Sequence, residues 1–253
     1  MRDTRLMPKR VALVTGSSRG LGSAIARRLA ADGLAVAVNA ATDDALAADV
    51  AAAIANDGGV AESFIADVTD DHEATRLVAA VGAALGDIDV LVLNATGPQP
   101  EASILDVGWE DHLEQLNFFV KSPVLLARAA IPAMQAKRFG RIIQIDSEVA
   151  DRPPPGRSAY ATAKSAQIGL MRSWARELAP LGITVNAVAP GFIPVERHAD
   201  VADEVTAAYL ATVPAGRMGT REDVAGAVSF FASPESSFIT GQRLVVDGGR
   251  SLF

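Results

Sequence analysis

The chain contains no cysteine. Disulfides, thiolate nucleophiles and cysteine-ligated metal centres are therefore excluded, and a reducing cytoplasm fits. Histidine occurs only at His72, His112 and His198, and no metal site is expected. Aromatic residues are scarce, at 5% of the chain. The space they would fill falls to alanine, which suits closely packed helices. No uninterrupted apolar run approaches the ~20 residues that a membrane helix needs. The first ten residues, MRDTRLMPKR, are too polar for a secretory signal. There is no basic excess either. The formal net charge is −7, which argues against a nucleic-acid or anionic-membrane surface. These absences together lead to the expectation of a cytoplasmic globular protein.

What is present points to one domain. The 253 residues are 49% hydrophobic, enough for a single large α/β core over 1–253. Short apolar, β-branched runs occur at Val11–Thr15, Ala35–Asn39, Val60–Ala66, Val90–Leu93, Arg141–Ile145, Thr184–Val188 and Leu244–Val246. Helical patterns lie between them, near 20–32, 43–57, 70–86, 109–138, 158–180 and 221–233. Near-continuous apolar strands alternating with helices predict a parallel sheet covered on both faces. Right-handed crossovers then give a Rossmann-type, doubly wound, three-layer fold of about seven strands. Two segments break the rhythm. Asp151–Arg157 holds Pro153, Pro154 and Pro155 and reads as a stiff loop. Val195–Met218 is an insertion, long enough to cover a substrate pocket.

The first strand runs into Gly16-Ser17-Ser18-Arg19-Gly20-Leu21-Gly22 and then a helix. Glycines at this spacing let the backbone turn sharply and approach a pyrophosphate. The helix N-terminus offers unpaired N–H groups and a positive dipole end. The same residues 16–20 also match G-x-S-x-G, the nucleophile elbow of serine hydrolases. That alternative needs an Asp and then a His on later strand ends. Two of the three histidines lie in helical patterns and the third in the insertion.

The other strand ends are small or polar too. They read Asn39-Ala40-Ala41-Thr42, Asp67-Val68, Asn94-Ala95-Thr96-Gly97, Asp146-Ser147 and Pro190-Gly191. In an open α/β sheet, ligands bind beyond the carboxyl ends of the strands. Six such ends on one edge describe a long crevice for a dinucleotide. NAD sites carry an acid after the second strand. Here Asn39-Ala40-Ala41 stands there, while Arg19 and Thr42 can meet a 2′-phosphate. NADP(H) is the preferred cofactor, with NAD(H) as the second fit.

Tyr160 and Lys164 are four apart in a helical segment and so share a face. A tyrosine must fall from ~10 to ~7 to act as a base at neutral pH, about 4 kcal/mol. One ammonium at ~4 Å, at an effective dielectric of ~20, supplies about that much. Lys164 thus makes Tyr160 a usable general acid and base, and Ser147 can hydrogen-bond the reacting oxygen.

With these residues in place, the chain resembles the short-chain dehydrogenases/reductases along nearly its whole length. The matching stretches are TGSSRGLG at 15–22, Asp67-Val68, Asn94-Ala95, Ser147, Tyr160 with Lys164, and Pro190-Gly191-Phe192-Ile193. GITVNAVAPG at 182–191 and ITGQRLVVDGG at 239–249 match as well. The resemblance is closest to the 3-oxoacyl-[acyl-carrier-protein] reductases, through VPAGRMG at 213–219. It implies an enzyme acting on a small carbonyl or alcohol substrate. It implies that Ser147 orients the carbonyl, that Lys164 binds the nicotinamide ribose, and that Ile193 packs by the nicotinamide. It also implies a homo-oligomer, dimer or tetramer, paired through the helices near 109–138 and 158–180.

The chain departs from the family pattern in four places. Thr96 interrupts the family's N-A-G after the fourth strand, and Pro194-Val195 displaces a threonine after P-G-x-I. The fourth catalytic residue, an asparagine, is best matched by Asn117. The stretch after Asn117 is about two residues longer than usual, an alignment that puts Phe119 at that position. Of the two basic residues with which the reductases dock an acidic carrier, Arg138 fits one and Leu181 stands at the other. A free ketone or acyl-CoA is therefore expected to serve as well as a carrier-bound substrate. A dinucleotide-binding sensor or scaffold with little turnover is the alternative.

Overall fold

The computed structural model describes residues 10–252. Among the described residues, seven strands form one sheet: β1 (Val11–Val14), β2 (Ala35–Ala40), β3 (Val60–Ile65), β4 (Ile88–Leu93), β5 (Gly140–Ile145), β6 (Ile183–Pro190) and β7 (Arg243–Val246). Their order is β3-β2-β1-β4-β5-β6-β7, and every pairing is parallel. The order reverses between β1 and β4, so the crevice expected of a doubly wound sheet opens there.

The two-residue period of a strand divides the core. Ala12 and Val14 face one side of β1, where they meet Ile25 and Leu29 of α1 (Gly20–Ala31), Ile54 of α2 (Asp44–Asn56) and Val228 of α8 (Arg221–Ala232). Val11 and Leu13 face the other side. There they meet Leu77 of α3 (Asp71–Ala84), Leu126 of α5 (Ser122–Lys137) and Met171 of α6 (Ser158–Leu178). β1, β2, β4, β5 and β6 are buried along their whole length, which accounts for their near-continuous apolar runs. β3 and β7 are the edges, and they expose Val60, Ile65 and Leu244.

The single helix expected over 109–138 is three pieces. α4 (Trp109–Leu116) passes into a five-residue π-helical turn, Asn117–Lys121, which passes into α5. A π turn widens the helix locally without breaking it, and this one falls on the stretch after Asn117 whose length stood out in the sequence. The turn rotates Phe119 inward until it is 3% exposed. The insertion holds a 3₁₀ turn, Glu196–His198, and α7 (Asp203–Leu210), none of whose residues is buried.

Sequence-local chemistry sets several helix starts. Asp43 accepts from Leu46 N–H at α2, and Asp70 accepts from His72 and Glu73 N–H at α3. Thr220 and Asp223 form a reciprocal capping box at α8. The Asp223 carboxylate is held well below the usual carboxylate range by the Arg217 guanidinium and the Thr220 backbone N–H. A carboxylate depressed in this way stabilises the fold above its unfolded pKa, and the contribution is lost as pH falls through the folded value. Thr220→Ala should cost about 1 kcal/mol, seen as a lower melting midpoint. Asp223→Asn should destabilise at neutral pH, and its deficit in urea denaturation should shrink below about pH 4. A deficit that does not change with pH would contradict the ion pair's part.

Candidate active site

All the polar strand ends meet along one edge of the sheet, as parallel strands require. The glycine loop leaves β1 with Gly16 and Gly20 at φ of 61° and 58°, left-handed values that glycine adopts without strain. Asn94, at the end of β4, braces the loop from below. Its Nδ2 donates to the carbonyls of Thr15 at 2.9 Å and Gly16 at 3.0 Å. Thr15 Oγ1 answers by accepting from the N–H groups of Asn94 and Ala95.

From β2, Asn39 Oδ1 accepts from Gly16 N–H at 3.1 Å, while its amide donates to the carbonyls of Ala40, Phe64 and Ala66. Asn39 is 1% exposed. Asn39, expected at the cofactor, has its side chain bonded to the loop and the neighbouring strands. Thr42 and Arg19 are exposed at that end, and so are Asp43 and Asp44. The nearest acid, Asp43, accepts from Leu46 N–H to cap α2.

α1 begins at Gly20 with no side-chain cap. Its first N–H groups, on Gly20, Leu21 and Gly22, have no partner within the helix. Ser17 Oγ turns inward to Val14 O, and Ser18 and Arg19 face outward. Uncapped N–H groups beside two left-handed glycines make a cradle that fits a pyrophosphate. Asp67 is exposed at the mouth and folds its carboxylate onto Thr69, with Val68 buried behind it. Pro190 and Gly191 end β6, Gly191 N–H donating to Val246 O. Ile193 is buried just beyond.

The second group stands at the end of β5. Ser147 Oγ accepts from Val149 N–H at 3.3 Å and starts a 3₁₀ turn, Glu148–Ala150. α6 brings Tyr160 and Lys164 alongside, 9% and 3% exposed. Lys164 Nζ donates to Ile145 O at 2.7 Å and to Gln167 Oε1 at 3.0 Å. Phe119 touches both members of the pair. Its ring lies 3.7 Å from Lys164 Nζ and meets the Tyr160 ring edge-on at 5.5 Å. Asn117 starts the π turn that carries this phenylalanine.

Several residues here were not singled out from the sequence. Arg243, the first residue of β7, pairs with Asp146 and Asp151 and donates to Ser147 O at 2.6 Å. It thereby fixes the backbone on both sides of the serine. Burial pushes the Asp146 carboxyl up, and Lys164 and Arg243 oppose that rise. Glu148 accepts from Tyr209 Oη at 3.0 Å and pairs with Arg250 at 2.9 Å. The same hydroxyl accepts from Phe192 N–H at 2.7 Å. Tyr209 is pushed up to about 12, first by burial and further by Glu148. This hydroxyl hooks α7 over the end of β6. On the other side of the insertion, Glu196 pairs with Arg221 at 2.8 Å beside Gly20. His72 and His112 lie on α3 and α4, and a ring nitrogen of His198 bonds Ile193 O.

A family model described as enoyl-(acyl carrier protein) reductase matches residues 16–251. The 3-oxoacyl-[acyl-carrier-protein] reductase FabG of Haemophilus influenzae is 39% identical over 243 residues, 96% of this chain and 98% of that protein. The Escherichia coli protein of the same name is 40% identical over 242 residues, 95% of this chain and 96% of its own. Among solved structures, a putative gluconate dehydrogenase from Agrobacterium tumefaciens superposes with a TM-score of 0.92 at 32% identity, over 96% of each chain. A gluconate 5-dehydrogenase from Burkholderia cenocepacia, in complex with NADP and tartrate, gives 0.91 at 31% identity, over 98% of this chain and 97% of that one. The chain belongs to the short-chain dehydrogenase/reductase family and is an oxidoreductase.

The tightest point of the cradle is Gly22. A Cβ there would lie 2.3 Å from Gly16 O and 2.6 Å from Asn94 Nδ2. Gly22→Ala must therefore push the loop off its brace, at about 1–3 kcal/mol. At about 2–4 °C per kcal/mol for a chain of this size, calorimetry should show a clear drop in Tm. An unchanged Tm would mean that the brace yields freely.

Proposed function

We propose that the protein is an NADP(H)-dependent reductase interconverting a ketone and a secondary alcohol, with 3-oxoacyl compounds as the leading substrate class. The observation that carries this reading is the gathering of Ser147, Tyr160 and Lys164 at the end of β5, on the sheet edge that also holds the glycine loop. Residues 16–22 receive the pyrophosphate, and Arg19 with Thr42 receives the 2′-phosphate through charge-assisted hydrogen bonds. Asp67, Val68, Asn94, Ala95 and Thr96 line the middle of the crevice. Pro190, Gly191 and Ile193 flank the nicotinamide end, with Lys164 on its ribose. A homo-oligomer, dimer or tetramer, built on the long helices belongs to the same reading.

When bound, the dinucleotide supplies or accepts the hydride. In reduction, Tyr160 Oη gives its proton to the carbonyl oxygen as negative charge develops there. Ser147 Oγ already accepts from Val149 N–H, so its own O–H is available to donate to the same oxygen. Lys164 holds a positive charge beside the tyrosine, which favours the tyrosinate left behind. Oxidation runs these steps backward, with the tyrosinate taking the alcohol proton.

The cofactor assignment predicts faster turnover with NADPH than with NADH. Arg19→Glu should erase at least ~10-fold of that preference, the cost of one charged hydrogen bond. A clear NADH preference in the wild type would sink it. The chemistry is tested with acetoacetyl-CoA, its carrier-bound form and 5-ketogluconate. The two acetoacetyl forms should serve comparably, since Leu181 stands where a second basic residue would help dock the carrier. Tyr160→Phe should slow turnover by about 10²–10⁴. Equal rates for variant and wild type would mean that the acid is misassigned. NADPH binding with no turnover of the panel would favour the sensor.

A further inference from the structure

We propose that Gln167 and Phe119 are positioning residues for Lys164, which together keep a buried ammonium charged and fixed beside Tyr160. The inference rests on Tyr160 being the acid and base, and it names the groups that tune it.

Lys164 is 3% exposed and has given up most of its water. A buried ammonium without compensation loses its proton. Among the groups that take the water's place are Ile145 O at 2.7 Å and Gln167 Oε1 at 3.0 Å, and the buried Asp146 carboxylate also acts on the ammonium. The face of the Phe119 ring, 3.7 Å away, adds a cation–π contact that strengthens where water is absent.

The cost of Gln167 identifies its purpose. It is 2% exposed, and the buried residues that follow it along α6 are the apolar Met171, Ala175 and Leu178. An apolar side chain would pack there without a buried amide to satisfy. Three residues beyond Lys164, the glutamine stands one helical turn along, on the same face. Phe119 has a comparable history. Only the π turn at 117–121 brings it inward, and the ring then touches lysine and tyrosine together, setting their spacing.

Of the charged groups on the surrounding elements, Asp146 pairs with Arg243, Glu148 with Arg250, Lys121 with Asp71, and Arg157 with Glu101. α4 adds Glu110, Asp111, His112 and Glu114, and the buried Asp146 carboxylate also acts on Lys164. Gln167 is itself uncharged, so removing it acts on Tyr160 through Lys164.

The chain offers a direct readout, because it contains two tyrosines. Tyr209 is pushed up to about 12. A tyrosinate difference absorbance that develops at lower pH belongs to Tyr160, and Tyr160→Phe should abolish that first step. Gln167→Met keeps the shape and removes the acceptor. It should move the first step up by about one pH unit, tenfold in the ionisation constant, and leave the second in place. Phe119→Leu should move it the same way by less. The rising limb of NADP-linked oxidation of 3-hydroxybutyryl-CoA should move in parallel. A merely structural loss would lower the rate at every pH without moving the limb. A first step unmoved in both variants overturns the inference, and if Gln167→Met does not fold, Phe119→Leu decides. A wild type with no step below the ordinary tyrosine range would instead overturn the reading of Tyr160 itself.

Discussion

Two hydrogen bonds from the Asn94 amide, to the carbonyls of Thr15 and Gly16, cross the sheet where its strand order reverses. At that point helices leave to opposite faces, and nothing but the strand ends closes the gap. The bonds come from β4, so the loop after β1 is held by its neighbour rather than by its own chain. Asn39 does the same from β2. The loop can therefore be glycine-rich, with little conformational stiffness of its own, and still present a fixed row of N–H groups. A flexible loop would have to give up that freedom on binding, whereas a braced one has given it up in folding.

The same economy operates at the end of β5 with charge in place of amides. Asp146 is buried and Arg243 holds it, while Arg243 also reaches Asp151 and Ser147 O. Glu148 is buried as well, and Arg250 and Tyr209 hold it. Each acid next to the serine is thus paired with a cation from the C-terminal part of the chain. Opposite charges in such pairs screen one another. The field of Lys164 on Tyr160 then depends on the ammonium, on the Asp146 carboxylate near it, and on its contacts with Ile145 O, Gln167 and Phe119.

The fold was legible because its signal is periodic. Ala35–Asn39 and Arg141–Ile145 are mostly apolar without alternation, and both are buried throughout, as strands of a covered parallel sheet are. Ser147, Tyr160, Lys164 and the glycine loop were legible as candidates because the chemistry proposed for them needs particular residue types at strand ends and at helical spacing. Arg243 was not, since its partners lie 92 to 97 residues away and strand pairing alone brings them together. Gln167 escaped notice because a glutamine in a helix ordinarily faces water, and only burial against Lys164 gives it a meaning. Phe119 was visible as an extra-length problem. Its contact with the pair depends on the π turn, for which apolar periodicity has no signature. Asn39 stands out from its place at a strand end. Its bracing bonds were not legible, because Gly16, Phe64 and Ala66 lie 23 to 27 residues away and only strand pairing brings them to its amide.

Arg243 occupies the first position of β7, which has a neighbour on one side only. Its guanidinium is the tie between that outermost strand and the backbone of the serine turn. Edge strands fray more readily than central ones. The rim of the sheet and the serine turn are thus one mechanical unit. Anything that loosens β7 releases the turn before the core is disturbed, and anything that covers β7 stiffens it.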